Sequence, residues 1–166
     1  RLVEVTVYHL QMLVPPTQPT PASRDPLTVL AARPPSVRYY RFLYDAVGSD
    51  YHWLSRGVLS DADLAAILDD NRNEVHVLYL DGSPAGFAEL DRAAGDHIEL
   101  VQFGLLPEYL GRGLGKRFLQ WTIDQAWSYR PRRLWLHTCT LDHPAALPTY
   151  RRAGFETFRQ ERIWRH

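Results

Sequence analysis

Leu105-Leu106-Pro107-Glu108-Tyr109-Leu110-Gly111-Arg112-Gly113-Leu114-Gly115-Lys116-Arg117-Phe118-Leu119 is the stretch whose reading decides the fold. An apolar run precedes it (Leu100, Val101, Phe103, Leu105), and apolar residues at helical spacing follow it (Leu114, Phe118, Trp121). The pattern predicts a strand, a glycine turn and a helix in that order. The first turn of a helix presents N–H groups without intrahelical partners, and the macrodipole makes that end partly positive. With no side chains at Gly111, Gly113 and Gly115, an anion can touch those amides directly. Arg112, Lys116 and Arg117 add full positive charge. The stretch reads as a phosphate-binding turn, and the plainer alternative is a tight strand-to-helix connection.

Two nucleotide-binding patterns fail on it. The Walker pattern needs Ser or Thr after its Lys, and Lys116 is followed by Arg117. The dinucleotide pattern needs a third glycine where Phe118 stands, and no early strand carries the turn where a Rossmann unit would place it.

Working outward, a chain of 166 residues with 45% hydrophobic and 23% charged residues suits one soluble globular domain spanning residues 1–166. No apolar run is long enough for a membrane span, and no signal-peptide pattern is present. Cys139 is the only cysteine, which excludes an internal disulfide and a cysteine metal cage and fits a reducing cytoplasm. The expectation is no metal and no membrane partner. Net charge is zero but uneven. Residues 1–108 carry 8 Arg against 15 Asp/Glu, and residues 109–166 carry 11 Lys/Arg against 4 Asp/Glu. A basic half suits an anionic cofactor and an acidic half a cationic acceptor, unless the two halves simply pair with each other. A near-neutral pI of 7.2 argues against nucleic acid. A homodimer stays open.

Upstream of the loop, Val3, Val5 and Val7 alternate with Glu4, Thr6 and Tyr8 as a half-buried strand. A proline-rich connector over 15–35 is expected to be extended or loop. Ser36 caps a helix through Tyr40, Leu43, Tyr44 and Val47, and Ser60 caps another through Leu64, Ile67 and Leu68. The aromatic residues Tyr39, Tyr40, Phe42, Tyr44, Tyr51 and Trp53 read as core or as a substrate-pocket wall. Glu74–Leu80, Ala85–Leu90 and His97–Leu105 form an antiparallel meander with Asp81-Gly82 as a hairpin turn. Downstream, Arg133–His137 follows a helical crossover and is expected to lie parallel to the strand that enters the loop. A short helix around Pro144–Arg152 ends at Gly154 and is kinked or late-starting because of Pro148. Phe155–Trp164 is the closing strand.

Leu110-Gly111-Arg112-Gly113-Leu114-Gly115 resembles the acetyl-CoA pyrophosphate loop of the GNAT superfamily of N-acetyltransferases, Gln/Arg-x-x-Gly-x-Gly/Ala, with Leu110 in place of the usual Gln or Arg. His143-Pro144-Ala145-Ala146-Leu147-Pro148-Thr149-Tyr150-Arg151-Arg152-Ala153-Gly154-Phe155 is similar to that family's second landmark, with His143 replacing Asn. The resemblance covers roughly residues 60 to 165. It implies an α/β (α+β) fold, a mixed, mostly antiparallel central sheet of about 6–7 strands flanked by helices. A splayed parallel strand pair would bind the cofactor.

The resemblance also implies the site. Acetyl-CoA would be the cosubstrate, held by Leu110, Gly111, Arg112, Gly113, Leu114, Gly115 and Lys116. Its pantetheine would bond to backbone around Phe103, Gly104 and Leu105, with Gly104 suited to a bulge. His143 stands where the family's Asn contacts pantetheine, and Tyr150 matches the family's general acid, a phenol able to protonate a leaving thiolate. For the base, Glu99 and then Glu89 interrupt apolar strand segments, where a carboxylate needs a partner or a role. Glu99 shares a strand face with Val101 and Phe103 if no bulge intervenes. His137 lies beside the gap, and nothing near Cys139 in sequence activates it as a nucleophile. The implied activity is transfer of an acetyl group to a primary amine, small molecule or peptide, by direct attack in a ternary complex. The competing readings are a non-catalytic acyl-CoA sensor and an interaction module.

Overall fold

The computed structural model describes residues 1–17, 26–51, 53 and 56–165. Seven strands form one sheet: β1 (Val3–Met12), β2 (Thr28–Ala32), β3 (Asn73–Leu80), β4 (Ser83–Ala94), β5 (His97–Leu105), β6 (Arg133–Cys139) and β7 (Glu156–Arg165). Four α-helices flank it among the described residues: α1 (Val37–Gly48), α2 (Asp61–Asp69), α3 (Leu114–Trp127) and α4 (Ala146–Ala153). The strand order is β2-β3-β4-β5-β6-β1-β7. Every neighbouring pair is antiparallel except β5 and β6. None of the described helices is long and apolar enough to cross a membrane.

Local chemistry sets most element boundaries. The Ser36 hydroxyl accepts from the Tyr39 amide at 3.1 Å and the Ser60 hydroxyl from the Asp63 amide at 3.1 Å, so each serine closes an orphan donor at its helix start. Asp81 and Gly82 take φ of 52° and 84°, the pair of positive angles a two-residue hairpin turn requires. The late start foreseen for the Pro148 helix is what occurs: α4 begins at Ala146, which puts Pro148 in the first turn, where its missing N–H costs no helical bond. Gly154, at φ 115°, closes α4.

The connector differs from expectation. Between Pro26 and Pro34 the chain forms β2, which adds to the free edge of β3. A proline-free run of five residues can pair once a tertiary neighbour offers an edge, and no local signal announces that neighbour. Positions 18–25 of the connector, with Pro19 and Pro21, lie outside the described residues.

The sheet is packed on both faces. On one face, Tyr40, Leu43, Tyr44 and Val47 of α1 and Leu64 and Leu68 of α2 cover Val75, Val77 and Phe87. On the other, Phe118, Leu119, Ile123 and Ala126 of α3 cover Leu78, Ala88, Leu90, Ile98, Leu100, Leu134 and Leu136. β4 lies under helices on both sides, so its residues from Ala85 to Leu90 are buried without alternation.

Two departures at β5 shape the site. First, its ladder with β6 covers only His97–Glu99 against Arg133–Trp135, so the strands are unpaired with each other from Leu100 onward. Second, Glu89 opposes Gln102 while Leu90 opposes Leu100, which leaves Val101 as an extra residue. This bulge overturns the assumption of a regular strand. One inserted residue inverts the alternation, so Phe103 pairs with Ala88 on the α3 face while Glu99 pairs with Asp91 on the α1–α2 face. Glu99 and Phe103 therefore do not share a side. Gly104 is not the bulge. A Cβ at Gly104 would lie 2.4 Å from Val47 Cγ1, so glycine there lets α1 pack against the strand. Gly86 permits a close backbone approach, since a Cβ there would lie 2.4 Å from the Gly104 carbonyl oxygen.

Candidate functional site

The glycine loop joins the open end of β5 to the start of α3. Gly111 and Gly113 take φ of 78° and 76°, a left-handed conformation that side chains strain, and a Cβ on either would meet nothing within 4 Å. The space above both is therefore open. Gly113 is the N-cap of α3 and has no side chain to close the first-turn amides, which stay available to an anion. Gly115 is packed, with a Cβ position 3.6 Å from Leu105 Cδ1. Leu114, 7% exposed, belongs to the core, and Arg112 lies over the Tyr109 ring at 5.6 Å. Leu110, Gly111, Gly115, Lys116 and Arg117 line a cleft that continues past Phe103, Gly104 and Leu105 to His143, Tyr150 and Glu99. Arg112, Gly113 and Leu114 do not line it: Leu114 is buried behind it, and Arg112 and Gly113 are exposed beside it.

Tyr150, on α4, packs edge-on against Phe103 at 6.3 Å and Phe155 at 5.9 Å. Its hydroxyl makes no hydrogen bond among the described residues. Burial and then the Asp142 carboxylate push its pKa upward, so the phenol keeps its proton. His143 Nδ1 accepts from the Ala145 amide at 3.0 Å, which fixes the ring at the entrance to α4 and leaves Nε2 as its remaining polar atom.

The two glutamates occupy opposite situations. Glu89 is 0% exposed and its oxygens are taken: Tyr40 donates its hydroxyl, Arg56 Nη2 donates at 2.8 Å and Asn73 Nδ2 at 3.1 Å. The carboxylate that needed a partner or a role has partners, and they pin the segment carrying Arg56 against the sheet. Glu99, with a side chain 21% exposed, has no such set. Burial raises its pKa to about 7, Asp91 and Glu89 reinforce the shift, and Arg56 opposes it. The nearest ionisable partner across the strand gap is His137, with Nε2 3.8 Å from Glu99 Oε2.

Sequence reasoning missed Asp142 and only half saw Trp53. The Trp53 indole N–H donates to Asp142 at 3.2 Å, and Asp142 also accepts from the Thr138 hydroxyl and, at 3.0 Å, from the Cys139 amide. Trp53 lies against Gly48, where a Cβ would come within 2.3 Å of the indole, and edge-on to Phe87 at 6.2 Å. The segment after α1 is thus tied to the turn after β6 across the open ends of β5 and β6. Its aromatic composition hinted at a pocket wall, but the partner is 89 positions away and carries no local signal. No group of three or more His, Cys, Asp or Glu arranged to hold a metal ion occurs among the described residues.

Solved structures share this architecture at low identity. A GCN5-related N-acetyltransferase from Sphaerobacter thermophilus superposes with a TM-score of 0.67 at 16% identity, over 96% of this chain and 50% of its own length. One from Kribbella flavida gives 0.59 at 20% identity, over 98% of this chain and 58% of its own. An IAA acetyltransferase from Bacillus cereus gives 0.59 at 20% identity, over 80% of this chain and 79% of its own. The chain thus spans only half to two thirds of the length of several proteins that match nearly all of it. No curated protein matches its sequence. The sequence model of the acetyltransferase (GNAT) family matches residues 40–155, a stretch running from α1 through the glycine loop and Tyr150 to Phe155, and the chain belongs to that family.

Proposed function

We propose that the chain moves an acetyl group from acetyl-CoA to a primary amine by direct attack in a ternary complex, with Glu99 as base and Tyr150 as acid. One observation carries the reading: a single cleft is lined by the first-turn residues Gly115 and Lys116 of α3, two strands that part after Glu99, a protonated phenol and a carboxylate with a pKa of about 7. These residues fit the cosubstrate. The open space over Gly111 and Gly113 admits a pyrophosphate, Lys116 adds charge, and the backbone of Phe103–Leu105, paired with β4 on one side and open on its β6 side, offers donors and acceptors to pantetheine. Acetyl-CoA supplies an activated acyl group and a thiolate leaving group.

The chain's own residues do the rest. An alkyl ammonium has a pKa near ~10 and cannot attack until it loses a proton. Glu99, half-ionised near neutral pH, attracts the cation and accepts that proton directly or through one water. Tyr150 gives its proton to the departing sulfur and takes one from the attacking nitrogen. Glu89 holds the surrounding wall and does not exchange protons in this scheme. The test is thiol release from acetyl-CoA with a panel of amines, beside a CoA thermal shift. Binding at 100 times Kd should stabilise by ~2.7 kcal/mol. CoA binding without amine-dependent thiol release would replace the enzyme with a non-catalytic acyl-CoA sensor.

A further inference from the structure

Each acetyl transfer from a thioester to an alkyl ammonium releases one net proton. Of the two that leave nitrogen, one ends on the CoA sulfur and the other must reach water. The group receiving the second is recessed: Glu99 is 21% exposed before any acceptor lies against it. An acceptor seated against it would cover that remaining opening. His137 stands on the neighbouring strand with Nε2 3.8 Å from Glu99 Oε2, and its own side chain is 53% exposed. Its Nε2 lies one bridging water away from the recessed carboxylate, its side chain is open to solvent, and both residues line the cleft.

We propose that His137 is the relay that takes the acceptor's proton from Glu99 and delivers it to water. The inference rests on the proposed acetyl transfer. The surroundings suit the task. His9 on β1 lies 6.0 Å from the His137 ring and is held by Glu161 on β7, Nε2 to Oε1 at 3.0 Å. Trp135 limits the ring on its own strand at 6.4 Å. Asp142 is a further charged neighbour. Partial burial and then His9 lower the pKa of His137 against the opposing pull of Asp142 and Glu161, which favours the neutral imidazole with a lone pair to accept with. The steps balance. The ammonium gives a proton to the Glu99 carboxylate. The Glu99 carboxyl then gives it through one bridging water to His137 Nε2, and the imidazolium gives a proton to bulk water, restoring both residues. The C–N bond forms, the C–S bond breaks, and Tyr150 supplies the sulfur's proton and recovers it from nitrogen.

His137→Gln and His137→Ala, made in the whole chain, test this in multiple-turnover acetyl transfer with added imidazole, where Glu99 must be cleared of its proton in every cycle. The expected result is a rate reduced by ~10-fold or more in both variants. CoA Kd and acceptor KM should change less than about 2-fold, with saturable recovery by imidazole in the Ala variant alone. Wild-type rates in both variants would overturn the relay. So would a raised acceptor KM at unchanged rate, or a slowed Ala variant that imidazole does not restore. Should Glu99→Gln be slow and His137→Gln normal, the relay falls and acetyl transfer stands. If the wild-type protein acetylates no amine, both fall.

Discussion

Glu99→Gln is expected to stabilise the folded protein at alkaline pH while disabling it. The carboxyl has a pKa of about 7 when folded against 4.5 for an ordinary glutamate, a gap of about 2.5 units. At about 1.4 kcal/mol per unit that gap corresponds to roughly 3 kcal/mol. The sign follows from proton counts. Below about pH 4.5 the group is protonated in both states and contributes its full stability. As pH rises toward 7 the unfolded chain releases its proton while the folded chain keeps it, so stability falls. Above about 7 the folded chain carries an ionised, desolvated carboxylate beside Asp91, and the loss is complete. Glutamine keeps the shape and does not titrate. Urea unfolding at pH 4.5, 6 and 8 should therefore show no difference from wild type at the first pH and a gain of up to about 3 kcal/mol at the last. For a chain of this size that is a Tm increase of roughly 6–12 °C. The m-value should not change, since the same surface is exposed. A difference that stays flat with pH, or a variant less stable than wild type at pH 8, would refute the desolvated carboxylate and with it the physical basis for Glu99 as base.

Tyr150→Phe keeps the contacts with Phe103 and Phe155 and deletes the proton donor, so the acetyl-transfer kcat should fall ~10²- to 10⁴-fold with CoA affinity unchanged; a wild-type kcat would make Tyr150 a packing residue. Gly113→Val forces a branched side chain to φ 76° at a strain of roughly 1–2 kcal/mol. Because nothing fills the space there, the fold should survive while CoA binding, read by calorimetry, is lost. Arg56→Met removes the cation from fully buried Glu89 and should destabilise by ~3–5 kcal/mol in urea unfolding. A loss below ~1 kcal/mol would mean that Tyr40 and Asn73 alone satisfy that carboxylate.

Much of this molecule is legible locally because its signals are local. Ser36 and Ser60 cap the helices they precede, Asp81-Gly82 makes its turn, and the glycines at 111 and 113 stand in the turn between strand and helix that the pattern predicts. Helix and turn starts are decided by groups a few residues apart, and those groups are adjacent in the chain. The parallel placement of β6 beside β5 also follows, since a strand–helix–strand unit returns on the same sheet. β2 was hidden because a short edge strand exists only by virtue of the partner it pairs with, and β3 is more than 40 positions downstream of it.

The residue types needed for acid–base chemistry, and the loop that would hold an anion, were determined by the sequence alone. Which carboxylate is open was not. Glu89 and Glu99 look alike in a linear pattern, each a charge in an apolar run. Tertiary packing separates them: Arg56, Asn73 and Tyr40, drawn from three other segments, saturate one, and a one-residue bulge at Val101 turns the other toward Asp91 and His137. Desolvation and partner count are properties of the folded neighbourhood. A strand's side alternates with every residue, so a single insertion that no local preference marks decides which face a catalytic side chain occupies.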